Sequence, residues 1–134
     1  MTNDVDYGTI YIAVRCIEGG LFLDAHIKKV YVPMTETGFY ILLCLQQPNH
    51  GYGVVQMVEQ MTEGEIRLSP GTMYGSLSKM EKDKLIQFVR EEEKRKLYQI
   101  TELGKEVLQL EKTRIKRLYR NSTEAFEHGN KTGI

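Results

Sequence analysis

The chain has 134 residues, of which 41% are apolar and 27% charged, which is typical of one globular domain and excludes a largely disordered chain. Its 18 Lys and Arg balance its 18 Asp and Glu, so attraction to a polyanion must come from local clusters of charge. No run approaches the roughly 18 apolar residues of a membrane span, and the acidic start differs from a secretory signal, so we expect a cytoplasmic protein. Cys16 and Cys44 lack Cys-x-x-Cys spacing and are interpreted as reduced thiols.

Residues 1–32 stand apart as an N-terminal extension of uncertain structure. Their apolar residues keep no regular spacing, and Gly19-Gly20 interrupts them, so no helix or strand is predicted there. Glu18-Gly19-Gly20 is also what a purine-rich ribosome-binding site encodes in frame. Two interpretations therefore stay open: the extension is native, or translation begins near Leu21 or Leu23.

Two helices are predicted between Thr35 and Gly64. Thr35 is a suitable N-cap for the first, whose apolar residues crowd one side until Pro48 ends it. After a break at Asn49-His50-Gly51, the apolar residues of the second helix recur at offsets of one, four and seven, the spacing of a buried stripe. The expected stripe consists of Val54, Val55, Val58 and Met61.

The strongest local signal is Ser69-Pro70, because a serine hydroxyl caps a helix and proline suits the first helical position. A third helix is therefore predicted to begin here. Its buried stripe is expected to comprise Met73, Leu77, Met80 and Leu85. Its opposite face is polar and short-chained, with Thr72, Gly75, Ser76 and Lys79.

Alternating apolar and polar residues over positions 86–100 predict a β-hairpin with a highly charged tip. Thr101 is expected to cap a final helix over residues 102–121, followed by a flexible polar tail over 122–134. One stripe of that helix should face the domain, with Leu103, Val107, Leu110 and Leu118. A second, heptad-spaced stripe should face a partner, with Leu108, Ile115 and Leu118.

Three helices followed by a two-stranded ribbon is the order of a winged helix-turn-helix, whose third helix enters the DNA major groove. The expected fold class is mainly α with a small β-hairpin, comprising a winged helix over 33–101 and a long C-terminal dimerisation helix. Small side chains at Thr72, Gly75 and Ser76 allow close approach to base edges, and Lys79 can reach a phosphate or a guanine. The helix start at Ser69 offers free backbone N–H groups to a phosphate.

The hairpin, called the wing below, carries a local cluster of bases. We expect Lys94, Arg95 and Lys96 to follow the phosphate backbone, while the three glutamates before them lie at the turn. The alternative is a hairpin tip whose charges only keep an edge strand soluble.

Four segments, taken in order, resemble motifs of the PadR family of bacterial transcriptional regulators. They are residues 35–43 (TETGFYILL), 50–53 (HGYG), 64–77 (GEIRLSPGTMYGSL) and 96–104 (KLYQITELG), within a likeness covering roughly 32–121. The resemblance implies a winged-helix DNA-binding domain with a single C-terminal helix that dimerises. It also implies a repressor that binds a near-palindromic operator as a homodimer.

By this resemblance Thr72 and Tyr74 would approach DNA, although Tyr74 could instead pack against the second helix. His50 is interpreted as a structural cap and Tyr52 as a phosphate contact through its hydroxyl. Many members of the family have arginine where Gly75 stands, which leaves the operator sequence open.

The predicted function is therefore sequence-specific DNA binding, with double-stranded DNA and a second copy of the chain as partners. The resemblance leaves room for a small-molecule effector, but no cofactor, metal site or membrane partner is expected. His26, His50 and His128 are scattered and no nucleophile stands beside a base, so we do not expect an enzyme. The alternative is a winged-helix adaptor that binds proteins and no DNA, which weaker dependence on salt would distinguish.

Overall fold

The computed structural model describes the backbone of residues 21–132 and the side chains of residues 25–125. In chain order the elements are α1 (Leu21–Tyr31), α2 (Glu36–Cys44), α3 (Gly51–Met61), α4 (Pro70–Lys82), β1 (Ile86–Glu92), β2 (Arg95–Ile100) and α5 (Glu102–Thr132). The two strands pair antiparallel. This mainly helical fold, with one hairpin and a long C-terminal helix, confirms the predicted fold class.

Side-chain caps determine where four of the helices begin. Each cap accepts a hydrogen bond of 3.0–3.2 Å from the backbone N–H three residues later, which satisfies a donor that the helix leaves unpaired. The caps are Thr35, His50, Ser69 and Thr101. The predicted helix starts are thus confirmed, while α2 ends at Cys44, earlier than the expected stop at Pro48.

The buried stripes meet in one core. All four side chains predicted for the third helix are buried: Met73, Leu77, Met80 and Leu85. Val54 and Val58 of α3 are fully buried beside them, but Met61 is 46% exposed. Including Met61 in the buried stripe was wrong, since it is the last residue of α3 and nearly half of its side chain is exposed. Cys44 is a buried free thiol whose pKa burial raises to about 11, and Cys16 lies outside the described residues.

Part of the N-terminal extension forms α1, which the irregular apolar spacing did not predict. It packs through Ile27 and Tyr31, which are 1% and 6% exposed. The Tyr31 hydroxyl donates to Asp83 Oδ2 at 2.7 Å, just after α4 ends. Lys79 of α4 donates to the same oxygen at 3.2 Å, and its ammonium lies 5.5 Å from the centre of the Tyr31 ring. These contacts connect α1 to the C-terminal half of α4.

The charge state of this cluster is fixed by its own hydrogen bonds. Burial and the neighbouring Asp83 carboxylate raise the pKa of Tyr31, so the phenol stays protonated and remains a donor. Burial alone would raise the pKa of Asp83, but the hydrogen bonds from Tyr31 and Lys79 outweigh it and lower that pKa. Asp83 is therefore an anion at neutral pH.

We expect Tyr31→Phe to lower the free energy of unfolding by about 2 kcal/mol at neutral pH, since hydrogen bonds to charged groups contribute about 1.5–3 kcal/mol. A carboxylate with a lowered pKa stabilises the fold above its unfolded pKa of about 3.9, and that contribution is lost as the pH falls through the folded pKa. The difference between the variant and the wild type should therefore shrink in acid. Urea unfolding at neutral pH and in acid measures this difference, with Tyr74→Phe, at a tyrosine that is 58% exposed, as control.

The C-terminal helix α5 is longer than predicted, since it continues past Asn121 to Thr132. Leu103, Val107 and Leu108 are buried at its start. The placement of Leu108 on the partner-facing stripe is therefore corrected, because Leu108 belongs to the core of its own chain. Leu118 is 50% exposed and does not belong to the domain-facing stripe. No helix within residues 21–132, α5 included, is long and apolar enough to cross a membrane.

The start of α5 lies against Leu85, three residues after the end of α4. Thr101 donates from its backbone N–H to the carbonyl oxygen of Leu85 at 2.9 Å. Its hydroxyl proton is shared between the carbonyl oxygens of Lys84, at 2.7 Å, and Leu85, at 3.0 Å. A Cβ at Gly104 would overlap the Leu85 carbonyl and come within 2.6 Å of Ile100 Cγ1. Only glycine permits this close approach of α5 to the backbone.

Gly104→Ala should lower the free energy of unfolding by about 2–3 kcal/mol, because overpacking a core typically costs about 1–3 kcal/mol and backbone cannot move aside easily. Gly75→Ala is the matched control, since nothing lies within 4 Å of a Cβ there. It should raise stability by about 0.5–1 kcal/mol through helix propensity. Urea unfolding of both variants tests the contrast, and equal shifts would contradict the close approach.

Candidate nucleic-acid interface

The N-terminal half of α4 presents an open polar surface. Ser69 Oγ accepts the N–H of Thr72 at 3.2 Å and donates to the Thr72 hydroxyl at 3.0 Å, which orients both side chains. Thr72 and Gly75 are exposed, and Ser76 is half-buried. Nothing lies within 4 Å of a Cβ placed on Gly71 or Gly75, so a ligand backbone or base edge can approach this surface closely.

Tyr74 lies at the boundary between α4 and α3. Its side chain is 58% exposed. One ring edge lies against the start of α3, where a Cβ on Gly51 would be 3.2 Å from Tyr74 Cε1. Tyr74 therefore both packs on the neighbouring helix and presents most of its surface outward. The contact with DNA stays a prediction.

The wing is closed by a two-residue turn. Glu93 and Lys94 both have positive φ, 50° and 64°, the conformation of the tight turns that suit the twist of a hairpin. The edge-to-face contact of Phe88 and Tyr98, with ring centres 6.4 Å apart, stabilises the base of the wing. Asn49 pairs its backbone with Tyr98 through two hydrogen bonds, which attaches the wing to the segment before α3.

The acidic residues do not gather at the turn as the sequence suggested. Only Glu93 lies there, while Glu91 stands opposite Lys96 and Glu92 opposite Arg95. The physical reason is the position of the turn, which divides the charged run into two strands. Lys94, Arg95 and Lys96 are exposed, but their charge is partly balanced by carboxylates on the facing strand.

Arg95 is positioned by the start of α3. Its guanidinium lies 5.5 Å from the centre of the Tyr52 ring, within the range of a cation–π contact. Its Nη1 lies 3.4 Å from His50 Nε2. Because His50 Nδ1 accepts the N–H of Gly53, the proton of a neutral imidazole lies on Nε2. The His50 ring and the Arg95 guanidinium therefore both offer N–H donors to the open groove beside them.

These contacts join three elements into one continuous surface, called the candidate surface below. Its centre is the start of α3, with Tyr74 of α4 against Gly51 on one side and Arg95 of the wing against Tyr52 and His50 on the other. Tyr52 is 55% exposed in the middle. No sequence signal predicted the contact of Tyr52 with Arg95, because the two residues are far apart in the chain.

Lys79 is the predicted site residue that the structure places elsewhere. It lies in the C-terminal half of α4, and its ammonium is engaged by Asp83 and the Tyr31 ring. The contact with the Tyr31 ring was missed because α1 was not predicted, whereas the ion pair with Asp83 joins residues four apart in the chain. A role of Lys79 in reading DNA therefore requires the side chain to leave these partners.

The described residues show no group that could hold a metal ion. The family is decided by comparison with known proteins, since the model of the transcriptional regulator PadR-like family matches residues 41–110, just over half of the chain. The chain belongs to the PadR-like family. The matched region includes the candidate surface on α3, α4 and the wing, whereas α1 and the distal part of α5 lie outside it.

Solved structures with the same fold include PadR-family regulators. A PadR family transcription regulator from Clostridium difficile R20291 is 24% identical, with a TM-score of 0.58, over 69% of this chain and 99% of that one. A PadR-like transcriptional regulator from Bacillus cereus is 22% identical, with a TM-score of 0.56, over 75% of this chain and 96% of that one. These similarities show a shared winged-helix fold.

A relative at the sequence level is a protein of transposon TN4556 from Streptomyces fradiae, described as an uncharacterized 37.1 kDa protein. It is 32% identical over 86 residues, which is 63% of this chain. The chain spans only 24% of the length of that relative.

Proposed function

We propose that this PadR-family chain is a sequence-specific DNA-binding repressor that binds a near-palindromic operator as a homodimer. The observation that carries the proposal is the candidate surface, in which Tyr74, Tyr52 and Arg95 come from three elements and form one exposed face. The start of α4 enters the major groove, and the start of α3 and the wing contact the flanking phosphates. We expect it to act on the chromosome in the cytoplasm.

The charges of this surface suit phosphate contact at defined points. The chain as a whole has no net charge, so it has no general attraction for DNA. Arg95 is held outward by the Tyr52 ring, which reduces the side-chain entropy lost when it binds a phosphate. Backbone N–H groups at the starts of α3 and α4 add further donors for phosphate oxygens.

The homodimer is proposed from α5. Beyond Leu108, which belongs to the core of its own chain, and the fully buried Glu111, α5 presents Ile115, Leu118 and Tyr119 along one stripe. The last three are 40%, 50% and 71% exposed, because the helix has by then passed the body of the domain. Glu111 is neutralised by a bidentate ion pair with Arg114, at 2.7–3.1 Å, so it leaves no isolated charge at the edge of the stripe.

A second copy provides the apolar cover that this stripe lacks, since burying such side chains stabilises by about 1.5–3 kcal/mol each. Two-fold symmetry also fits the proposed operator. It places two α4 helices in successive major grooves, about 34 Å apart.

The DNA-binding proposal is tested by fluorescence anisotropy with duplexes tiled across the region upstream of the gene, each at two salt concentrations. We expect one duplex to bind tightly, with affinity that falls steeply as salt rises. Arg95→Ala should weaken binding and reduce the log–log salt slope by about 0.9, the value for one phosphate contact. Lys79→Ala should weaken binding less, because Lys79 is already paired with Asp83.

Tyr52 variants provide the matched control for the position of Arg95. Tyr52→Phe keeps the ring beneath the guanidinium and should bind DNA nearly as tightly as the wild type does. Any loss of affinity in this variant measures a hydrogen bond from the Tyr52 hydroxyl to a phosphate. Tyr52→Leu removes the ring and should approach the affinity of Arg95→Ala. Absence of binding to every duplex at low salt would contradict the proposed function and favour the protein-binding adaptor.

Ile115→Glu should give a monomer, because a carboxylate cannot be buried in an apolar interface without a partner. Light scattering of the purified variant measures the mass directly. Thr113→Glu, at an exposed position two residues away, is the control and should stay dimeric. A dimer that survives the Ile115 substitution would refute the interface on this face of α5.

A further inference from the structure

One arginine of the wing, Arg90, is already paired with a carboxylate of its own strand. Glu92 Oε1 accepts from Arg90 Nε at 2.8 Å. Both side chains are about half exposed, at 53% and 56%. Arg90 is therefore the wing base whose charge is already matched by an ion pair, whereas Arg95 contacts only the Tyr52 ring and His50 at the distances given above.

Strand register places this pair on the same face as Arg95. Arg90 stands opposite Leu97 and Glu92 opposite Arg95, and residues two apart on a strand share a face. Glu92 also lines the open groove whose other walls are His50, Glu93 and Arg95. A phosphate that approaches Arg95 through this groove therefore meets the carboxylate of Glu92.

We propose that Glu92 limits the affinity of this protein for DNA, by holding Arg90 in an internal ion pair and by repelling phosphate beside Arg95. The inference rests on the proposed DNA-binding function. When DNA binds, a phosphate oxygen must compete with Glu92 for the Arg90 guanidinium. Removing the negative charge frees Arg90 for a phosphate and removes the repulsion at the same time.

The pair is not needed to hold the wing together. Exposed ion pairs contribute little to stability. The shape of the wing is maintained instead by its backbone ladder, by the packing of Phe88 on Tyr98, and by the pairing of Asn49 with Tyr98. Glu92→Gln therefore changes charge at this position while the wing keeps its structure, which equal urea midpoints of variant and wild type would verify.

The test compares DNA binding by the full-length wild type, Glu92→Gln and Glu102→Gln. Glu102 pairs with Lys105 at 3.0 Å on α5, away from the candidate surface. Glu102→Gln therefore also frees one base and changes the net charge by the same amount as Glu92→Gln. The probe is the fluorescent upstream duplex that the wild type binds most tightly, measured by anisotropy over a salt series. Glu92→Gln should bind about five- to tenfold more tightly and raise the log–log salt slope by about 0.9, one phosphate contact. Glu102→Gln should stay within about twofold of the wild type, as expected for a distant charge screened by salt.

The role of Arg90 is separated by a second pair of variants. In an Arg90→Ala background, Glu92→Gln should lose most of its gain in affinity, because there is no base left to release. If Glu92→Gln kept its full gain in DNA affinity in that background, the gain would not come from freeing Arg90.

Equal affinities of Glu92→Gln and Glu102→Gln would overturn the inference while leaving the proposed function intact, provided that the wild type binds. If neither the wild type nor Glu92→Gln binds any duplex at low salt, both the inference and the proposed function are wrong.

Discussion

The carbonyl oxygen of Leu85 is the point on which the arrangement of the domain depends. It accepts the backbone N–H of Thr101 and shares the Thr101 hydroxyl with the carbonyl oxygen of Lys84, and Gly104 lets α5 approach it without a side chain between them. Because Leu85 follows α4 and Thr101 follows β2, this contact joins α4, the wing and α5 at one point. The separation between the α4 surface and the wing is thus set by backbone geometry.

The start of α3 performs the corresponding role on the exposed side. His50 caps the helix with one ring nitrogen and presents the other toward Arg95. Gly51 accommodates the ring of Tyr74, and Tyr52 supports the guanidinium of Arg95. A chain with no net charge can present Arg95 beside aromatic and polar groups here because the elements that carry them meet at this helix end.

Much of the fold follows from local sequence. Caps at Thr35, Ser69 and Thr101 and the apolar spacing of the third helix depend on residues within one or two turns, so the sequence predicted them. The expected burial of Met61 was wrong and α1 was not predicted, for the opposite reason. Burial at a helix end, and helix formation in a segment of irregular apolar spacing, depend on what the rest of the chain places against them.

For the candidate site, the sequence by itself determined which side chains are available: short polar residues on α4, aromatic residues at two helix starts and a charged wing. Only the tertiary structure decided their partners. The Tyr31 ring lies beside the Lys79 ammonium, the Tyr31 hydroxyl donates to Asp83, and Arg95 lies over Tyr52. The physical reason is that caps and stripes are interactions between near neighbours in sequence, whereas electrostatic and ring contacts depend on distances that only packing and strand register establish.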